Sequence, residues 1–195
     1  MPRPIATERR AVLLDAALQV VVHQGLRGLT HRAVDREAAV AEGTTSAYFR
    51  TRKALHHGLA AWISRRLAGD IDEVAGRISG CDPAGPEALA AVVGLFTTWL
   101  DEPALLQAKV ELALEAARDA ELAELLASDR ERVVAIVADI LAARGKAHPE
   151  RRAAIAVASF DGILLAALTW PEADRDAFVA EGVRFTVQPL GQDDP

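Results

Sequence analysis

The sequence predicts an all-α protein of about nine helices, and three observations carry that expectation. Across 195 residues Ala, Leu, Glu and Arg dominate while Tyr, Phe and Ile are few, a mix that favours helices over strands. Apolar residues recur every three or four positions, as one buried face of a helix requires. Capping residues, glycines and prolines punctuate these stripes where helices would start and stop.

Thr7 is placed to cap the first helix. Leu14, Ala17, Leu18, Val21 and Val22 form its stripe, and Gly25 and Gly28 end it. Thr30 suits the N-cap of a second helix, roughly 31–38, with Ala33, Val34 and Ala38 facing inward. Ala39-Val40-Ala41 is a turn with Val40 as its buried plug, a third helix runs over roughly 42–48, and Phe49 closes it into the core. Thr51 caps a fourth helix reaching about residue 79, with Leu55, Leu59, Trp62, Ile63, Leu67, Ile71, Val74 and Ile78 along one face. At about 1.5 Å of rise per residue it measures roughly 40 Å. Ser79 to Pro86 is a linker-like break. Pro86 suits the first turn of a fifth helix, to about Leu100, and Pro103 separates it from a sixth, roughly 104–117. Asp119 caps a seventh that ends near Gly145, and His148-Pro149 opens an eighth to about Trp170. Pro171 stops the eighth, Asp174 caps a ninth to about Val187, and the tail QPLGQDDP is expected to fray.

Charge divides the chain. Residues 1–66 hold 11 Lys and Arg against 5 Asp and Glu, a net of +6, whereas residues 67–195 hold 11 against 23, a net of −12. A basic front end is the electrostatic footprint of nucleic-acid contact, and an acidic remainder stays off the phosphates. No apolar run of 18 or more residues exists, so no membrane span is expected. The N-terminus MPRPIATERR is basic without an apolar signal core behind it. The single cysteine, Cys81, excludes an intramolecular disulfide, fits a reducing cytoplasm and reads as an ordinary loop thiol. Four of the five histidines, His23, His31, His56 and His57, fall early, but adjacent His56 and His57 face different directions on a helix, so no metal site is expected. No Walker loop, GxSxG, HExxH or GxGxxG occurs, and no cofactor or catalytic residue is assigned. A small helical enzyme and a protein-docking module are the alternative classes; the positive head on an acidic body argues against both.

Residues 29–55, LTHRAVDREAAVAEGTTSAYFRTRKAL, have the layout of a helix-turn-helix, whose second helix lies in the DNA major groove. Thr30, then Ala38-Ala39-Val40, then AEGTTSAYFRTRKAL over 41–55, resembles the motif of the TetR family of repressors. The resemblance covers about residues 7–60. That family usually has a Thr opening the second helix, an Ala-Gly-Val turn, then Ser-x-Gly-Thr-Leu-Tyr-x-His-Phe-x-Ser-Lys-x-x-Leu. Here Ala39 replaces the turn glycine, Thr45 the Leu, Ser46 the Tyr and Tyr48 the His. A turn built on Ala39 must avoid positive φ or take mild strain.

The resemblance implies a helix-turn-helix DNA-binding domain over 1–52 and a helical ligand-binding and dimerisation domain over 53–195. It implies a homodimeric repressor, partnered by a double-stranded operator and relieved by a small effector. Thr30, Tyr48, Arg52 and Lys53 are the phosphate candidates. His31, Glu42, Thr44, Ser46 and Ala47, with the methyl of Thr45, are the candidates for base edges; Glu42 reads equally as a favourable acid at a helix N-terminus. Arg3, Arg9 and Arg10 are either a DNA-contacting arm or a solvated basic terminus. Trp62, Phe96, Trp99, Leu106, Val110, Leu114 and Phe160 are candidates for an apolar pocket, with ordinary core as the alternative. Lys109, Glu111 and Glu115 read as ligand contacts or as a solvated face. Asp161, a carboxylate in an apolar stretch, needs a partner: an Arg across an interface, a helix cap or a polar ligand group. The eighth helix is apolar nearly all round. Its Ile155, Ser159, Gly162 and Ile163, with Phe178 and Phe185 of the ninth, are the dimer-interface candidates, against a wholly intramolecular core.

Overall fold

The computed structural model describes residues 6–82 and 85–191. Among the described residues the chain forms nine helices and no strand: α1 (Ala6–Gly28), α2 (His31–Glu37), α3 (Thr44–Tyr48), α4 (Arg52–Ile78), α5 (Pro86–Asp101), α6 (Ala104–Ala116), α7 (Ala120–Ala142), α8 (Pro149–Ala167) and α9 (Glu172–Gly191). The Thr7 side chain, Arg3 and residues 192–195 lie outside the described residues.

Local chemistry explains most boundaries. Gly25 breaks α1 with φ 67° and ψ 174°, a conformation that glycine adopts without steric cost. Thr30 Oγ1 accepts the Ala33 N–H at 3.2 Å, and Thr51 Oγ1 accepts that of Ala54 at 3.0 Å. Asp119 Oδ1 accepts the N–H groups of Glu121 and Leu122 at 3.1 and 3.2 Å, opening α7. Pro86 and Pro149 occupy first-turn positions, where their missing N–H costs nothing. Gly145 has φ 67° in the turn after α7.

Five boundaries differ from expectation by two residues or more. The third helix starts at Thr44 instead of residue 42, because Gly43 with φ 91° caps it. The seventh helix ends at Ala142, short of Gly145. The eighth ends at Ala167, short of Trp170. The ninth begins at Glu172, which puts Asp174 inside its first turn with its N–H on the Pro171 carbonyl at 3.0 Å. It also continues through Pro189 to Gly191, beyond the end expected at Val187.

Packing divides the chain into two compact units. The first runs through Arg65 and adds Gln107–Leu126, and the second comprises Arg66–Leu106 and the chain from Ala127. The boundary expected at residue 52 follows the sequence motif, whereas the first unit also takes in the first half of α4 and the α6–α7 corner. Its core is built by Leu13, Leu14, Ala17, Val20 and Val21 of α1, Val34 of α2, Phe49, Leu55, Leu59 and Ile63 of α4, and Leu112 and Leu122. Each large aliphatic chain buried in this way contributes about 1.5–3 kcal/mol. Gly58 belongs to this packing: a Cβ there would lie 2.4 Å from the Phe49 ring.

In the second unit α8 and α9 lie side by side. A Cβ on Gly182 would come within 3.1 Å of Ile163, and Trp170 stacks on Phe178 with ring centroids 4.1 Å apart. Three of the expected pocket residues pack on one another: Phe96 stacks on Trp99 at 5.9 Å and meets Phe160 edge-on at 5.3 Å. Trp99 Nε1–H donates to Asp70 at 2.8 Å. Leu106 is buried in the same unit, while Trp62, Val110 and Leu114 belong to the first unit, so the expected lining set is split. Leu114 is 67% exposed and is not a core residue. Asp161 is likewise not enclosed by apolar groups. Its half-exposed carboxylate pairs with Arg130 of α7, a partner within the same chain. Among the described residues no single helix is long and apolar enough to cross a membrane.

Candidate nucleic-acid interface

A five-residue helix forms too few internal hydrogen bonds to hold itself, so α3 must be held from outside. Asp35 of α2 does this. Its Oδ2 accepts the Gly43 N–H at 2.8 Å, and its Oδ1 accepts the Thr45 N–H at 2.7 Å and the Thr45 hydroxyl at 2.5 Å. Asp35 is 3% exposed and Thr45 is 0% exposed. Burial pushes the Asp35 carboxyl up, but the Thr45 hydroxyl and the Thr45 and Gly43 N–H groups outweigh it, with a smaller pull from His31, and hold it below the usual range.

α2 ends in a Schellman-type turn: the Ala39 N–H reaches the Arg36 carbonyl at 3.1 Å and the Val40 N–H reaches that of Asp35 at 3.0 Å. The geometry requires a left-handed residue, and Ala39 supplies it with φ 50°, so the turn takes the strain that a glycine would avoid. Val40 is half-buried, a partial plug.

The clamp on Thr45 decides which way α3 faces. Ser46, Ala47 and Tyr48 are exposed and Thr44 is half-buried. The Thr44 and Ser46 hydroxyls donate to the Ala41 and Gly43 carbonyls at 2.6 and 3.1 Å. Thr45, expected to offer its methyl to DNA, points instead into the core, because its hydroxyl and N–H both serve Asp35. His31 is also turned inward: its Nε2–H donates to the Phe49 carbonyl at 2.5 Å, tying the start of α2 to the end of α3. Glu42 lies in the turn before α3, outside the helix, and pairs with Arg32 at 2.7 Å in solvent. Arg10 places its guanidinium 5.2 Å from the centre of the Phe49 ring.

The start of α4 is equally engaged. Arg52 Nη2–H groups donate to the Leu26 and Arg27 carbonyls at 3.0 and 3.1 Å, satisfying the end of α1. Its Nε–H donates to His56 Nε2 at 3.3 Å. Burial first and the Arg52 charge second push buried His56 down, which keeps that nitrogen an acceptor. Glu111 of α6 accepts the Leu26 N–H at 3.2 Å, so the peptide after the Gly25 break is held on both sides. Lys53 lies 2.9 Å from Glu121 and 3.3 Å from Asp119, and Glu121 first, then Asp119, hold its ammonium above the ordinary lysine range. Asp119 also meets His57 Nε2 at 2.9 Å. The His57 hydrogen bond first, then the Leu122 N–H and Lys53, bring its carboxyl down to about 2 against the opposing effect of burial. A cleft of about 530 Å³ opens here, walled by Arg27, Arg52, His56, Glu111, Leu114 and Arg118 among others.

Sequence reasoning missed Asp35, whose three contacts lie eight to ten residues away and show no local pattern. It also passed over Arg50, an exposed basic residue just after α3.

Two family descriptions match the chain. "Bacterial regulatory proteins, tetR family" matches residues 13–59, which is the clamped helix-turn-helix with its flanks, and "Tetracyclin repressor-like, C-terminal domain" matches residues 84–189, more than half of the chain. The chain belongs to the TetR family. Its fold is that of the family's transcriptional regulators. A Rhodococcus regulator structure superposes with a TM-score of 0.80 at 23% identity, covering 93% of this chain and 95% of that one. A structure assigned to the TetR family from Mesorhizobium loti gives 0.80 at 16% identity, covering 96% and 97%. The multidrug binding protein EbrR, solved in complex with imidazole, gives 0.68 at 26% identity, covering 95% and 96%. Comparison with curated protein sequences returns no match.

Proposed function

We propose that this TetR-family protein is a homodimeric, sequence-specific DNA-binding repressor of the cytoplasm, with no enzymatic activity, whose operator binding is relieved by a small effector. The observation that carries the reading is the Asp35 clamp: by burying Thr45 it turns Thr44, Ser46, Ala47 and Tyr48 outward on a short helix beside basic residues. Ala47 and the Thr44 methyl suit thymine methyls, Glu42 suits a cytosine amino group once it leaves Arg32, and Ser46 suits either edge. Thr30, Tyr48, Arg50 and Lys53 serve phosphates, while Arg52 acts through the end of α1 that it holds.

One recognition helix reads too little DNA for tight binding, so a second subunit is needed to read a second half-site. Support for the dimer comes from an exposed apolar stripe, Ile155, Gly162 and Leu165 of α8 with Phe185 of α9, the last 68% exposed. Ser159, Ile163 and Phe178 sit half-buried beside it. The effector is hydrophobic, taken by the aromatic cluster of Phe96, Trp99 and Phe160 with Leu106. EbrR, named as a multidrug binding protein, supports ligand binding on this fold.

The test is titration of the purified protein against the DNA upstream of its own gene, over a range of salt and with a scrambled competitor. Saturable binding that outlasts the competitor and falls steeply with salt is expected. No binding to any duplex at low salt would overturn the reading.

A further inference from the structure

Lys53 stands in the first turn of α4, two residues after the cap Thr51, where free backbone N–H groups favour phosphate. Its ammonium already holds two carboxylate ligands, one from each of Asp119 and Glu121. The two acids are not equivalent. Asp119 caps α7 and bonds His57, so it has structural work of its own. The Glu121 carboxylate is 70% exposed, lies 4.0 Å from His57 Nδ1 and makes its close contact with Lys53. Carboxylate oxygens presented to a half-exposed ammonium supply the negative charge and the acceptor atoms that a phosphate group would supply.

We propose that Asp119 and Glu121 act as an internal stand-in for DNA phosphate at Lys53, so that the α6–α7 corner competes with DNA and restrains its affinity. The inference rests on the DNA-binding reading above. Phosphate engages Lys53 in competition with the Glu121 carboxylate, so the strength of that contact is subtracted from DNA binding. An exposed pair of this kind corresponds to roughly a two- to five-fold change in an equilibrium. Anything that draws the start of α7 away from Lys53 raises affinity for every DNA sequence alike.

The experiment compares full-length wild type, Glu121→Gln, Lys53→Met and the double variant on a labelled duplex of random sequence, by fluorescence anisotropy across a salt series. Glu124→Gln is the charge control, since Glu124 is exposed on the same helix and is not bonded to Lys53. Glu121→Gln should bind roughly two- to five-fold more tightly per protomer, with a salt slope steeper by about 0.9. Glu124→Gln should change much less, and Glu121→Gln should have no effect in the Lys53→Met background. Equal gains from Glu121→Gln and Glu124→Gln, or a gain that survives Lys53→Met, would overturn the competition. Wild type that binds no duplex defeats the DNA-binding reading and this inference together, whereas wild type that binds with unchanged Glu121→Gln affinity defeats this inference alone.

Discussion

Asp35→Asn keeps the size of the α3 clamp and removes its charge. The carboxylate serves three donors, the Gly43 N–H through one oxygen and the Thr45 N–H and hydroxyl through the other. An amide has one oxygen. Turned towards Thr45, it leaves its NH2 facing the Gly43 N–H, donor against donor. A hydrogen bond to a charged group is worth about 1.5–3 kcal/mol, so the variant should lose about 2–3 kcal/mol out of a typical 5–15. Urea denaturation followed by circular dichroism measures this on the full chain. The pH dependence adds a second check. The folded pKa of Asp35 lies below the ordinary 3.8, so the unfolded chain takes up its proton first as pH falls. The contribution is therefore complete above the unfolded value and is lost as pH falls through the folded one. The wild-type advantage should be full at pH 7 and should shrink in acid below about pH 4. A deficit under about 0.5 kcal/mol, within the range of ordinary surface substitutions, or a deficit that does not narrow in acid, would refute the clamp.

Ala39→Gly should stabilise the protein by about 0.5–1 kcal/mol, since removing a left-handed cost of about 1–2 kcal/mol outweighs the chain entropy added by glycine. A lower unfolding midpoint in the same urea assay would show that the turn does not need its φ of 50°. Ile155→Glu combined with Phe185→Glu places charges on the exposed stripe of α8 and α9, and sedimentation velocity should show a monomer with weakened operator binding. A dimer of unchanged strength would move the interface elsewhere.

How much of this was legible in the sequence depends on the range of the interaction. Every helix was visible, because a stripe at threes and fours and a cap are set by residues within a turn or two of each other. Thr30, Thr51, Asp119 and Pro86 cap or open their helices as their chemistry demands. The misplaced boundaries, Thr44 and Glu172 as starts and Ala142, Ala167 and Gly191 as ends, lie where backbone conformation or neighbouring packing overrides local preference. The polar residues were harder. His31, Thr45 and Arg52 have the chemistry of DNA contacts, yet the fold uses them on the Phe49 carbonyl, the Asp35 carboxylate and the carbonyls ending α1.

The sequence by itself determined the all-α class, the helix-turn-helix, the basic front and the family resemblance, because periodicity, caps and net charge are properties of short segments and of sums. Tertiary structure alone decided that Asp35 holds α3, that Lys53 is shared with Asp119 and Glu121, that Asp161 meets Arg130 and that Leu114 faces solvent. The Asp35, Lys53 and Asp161 pairings join residues 8 to 68 positions apart, and no local pattern specifies which donor meets which acceptor until helices pack.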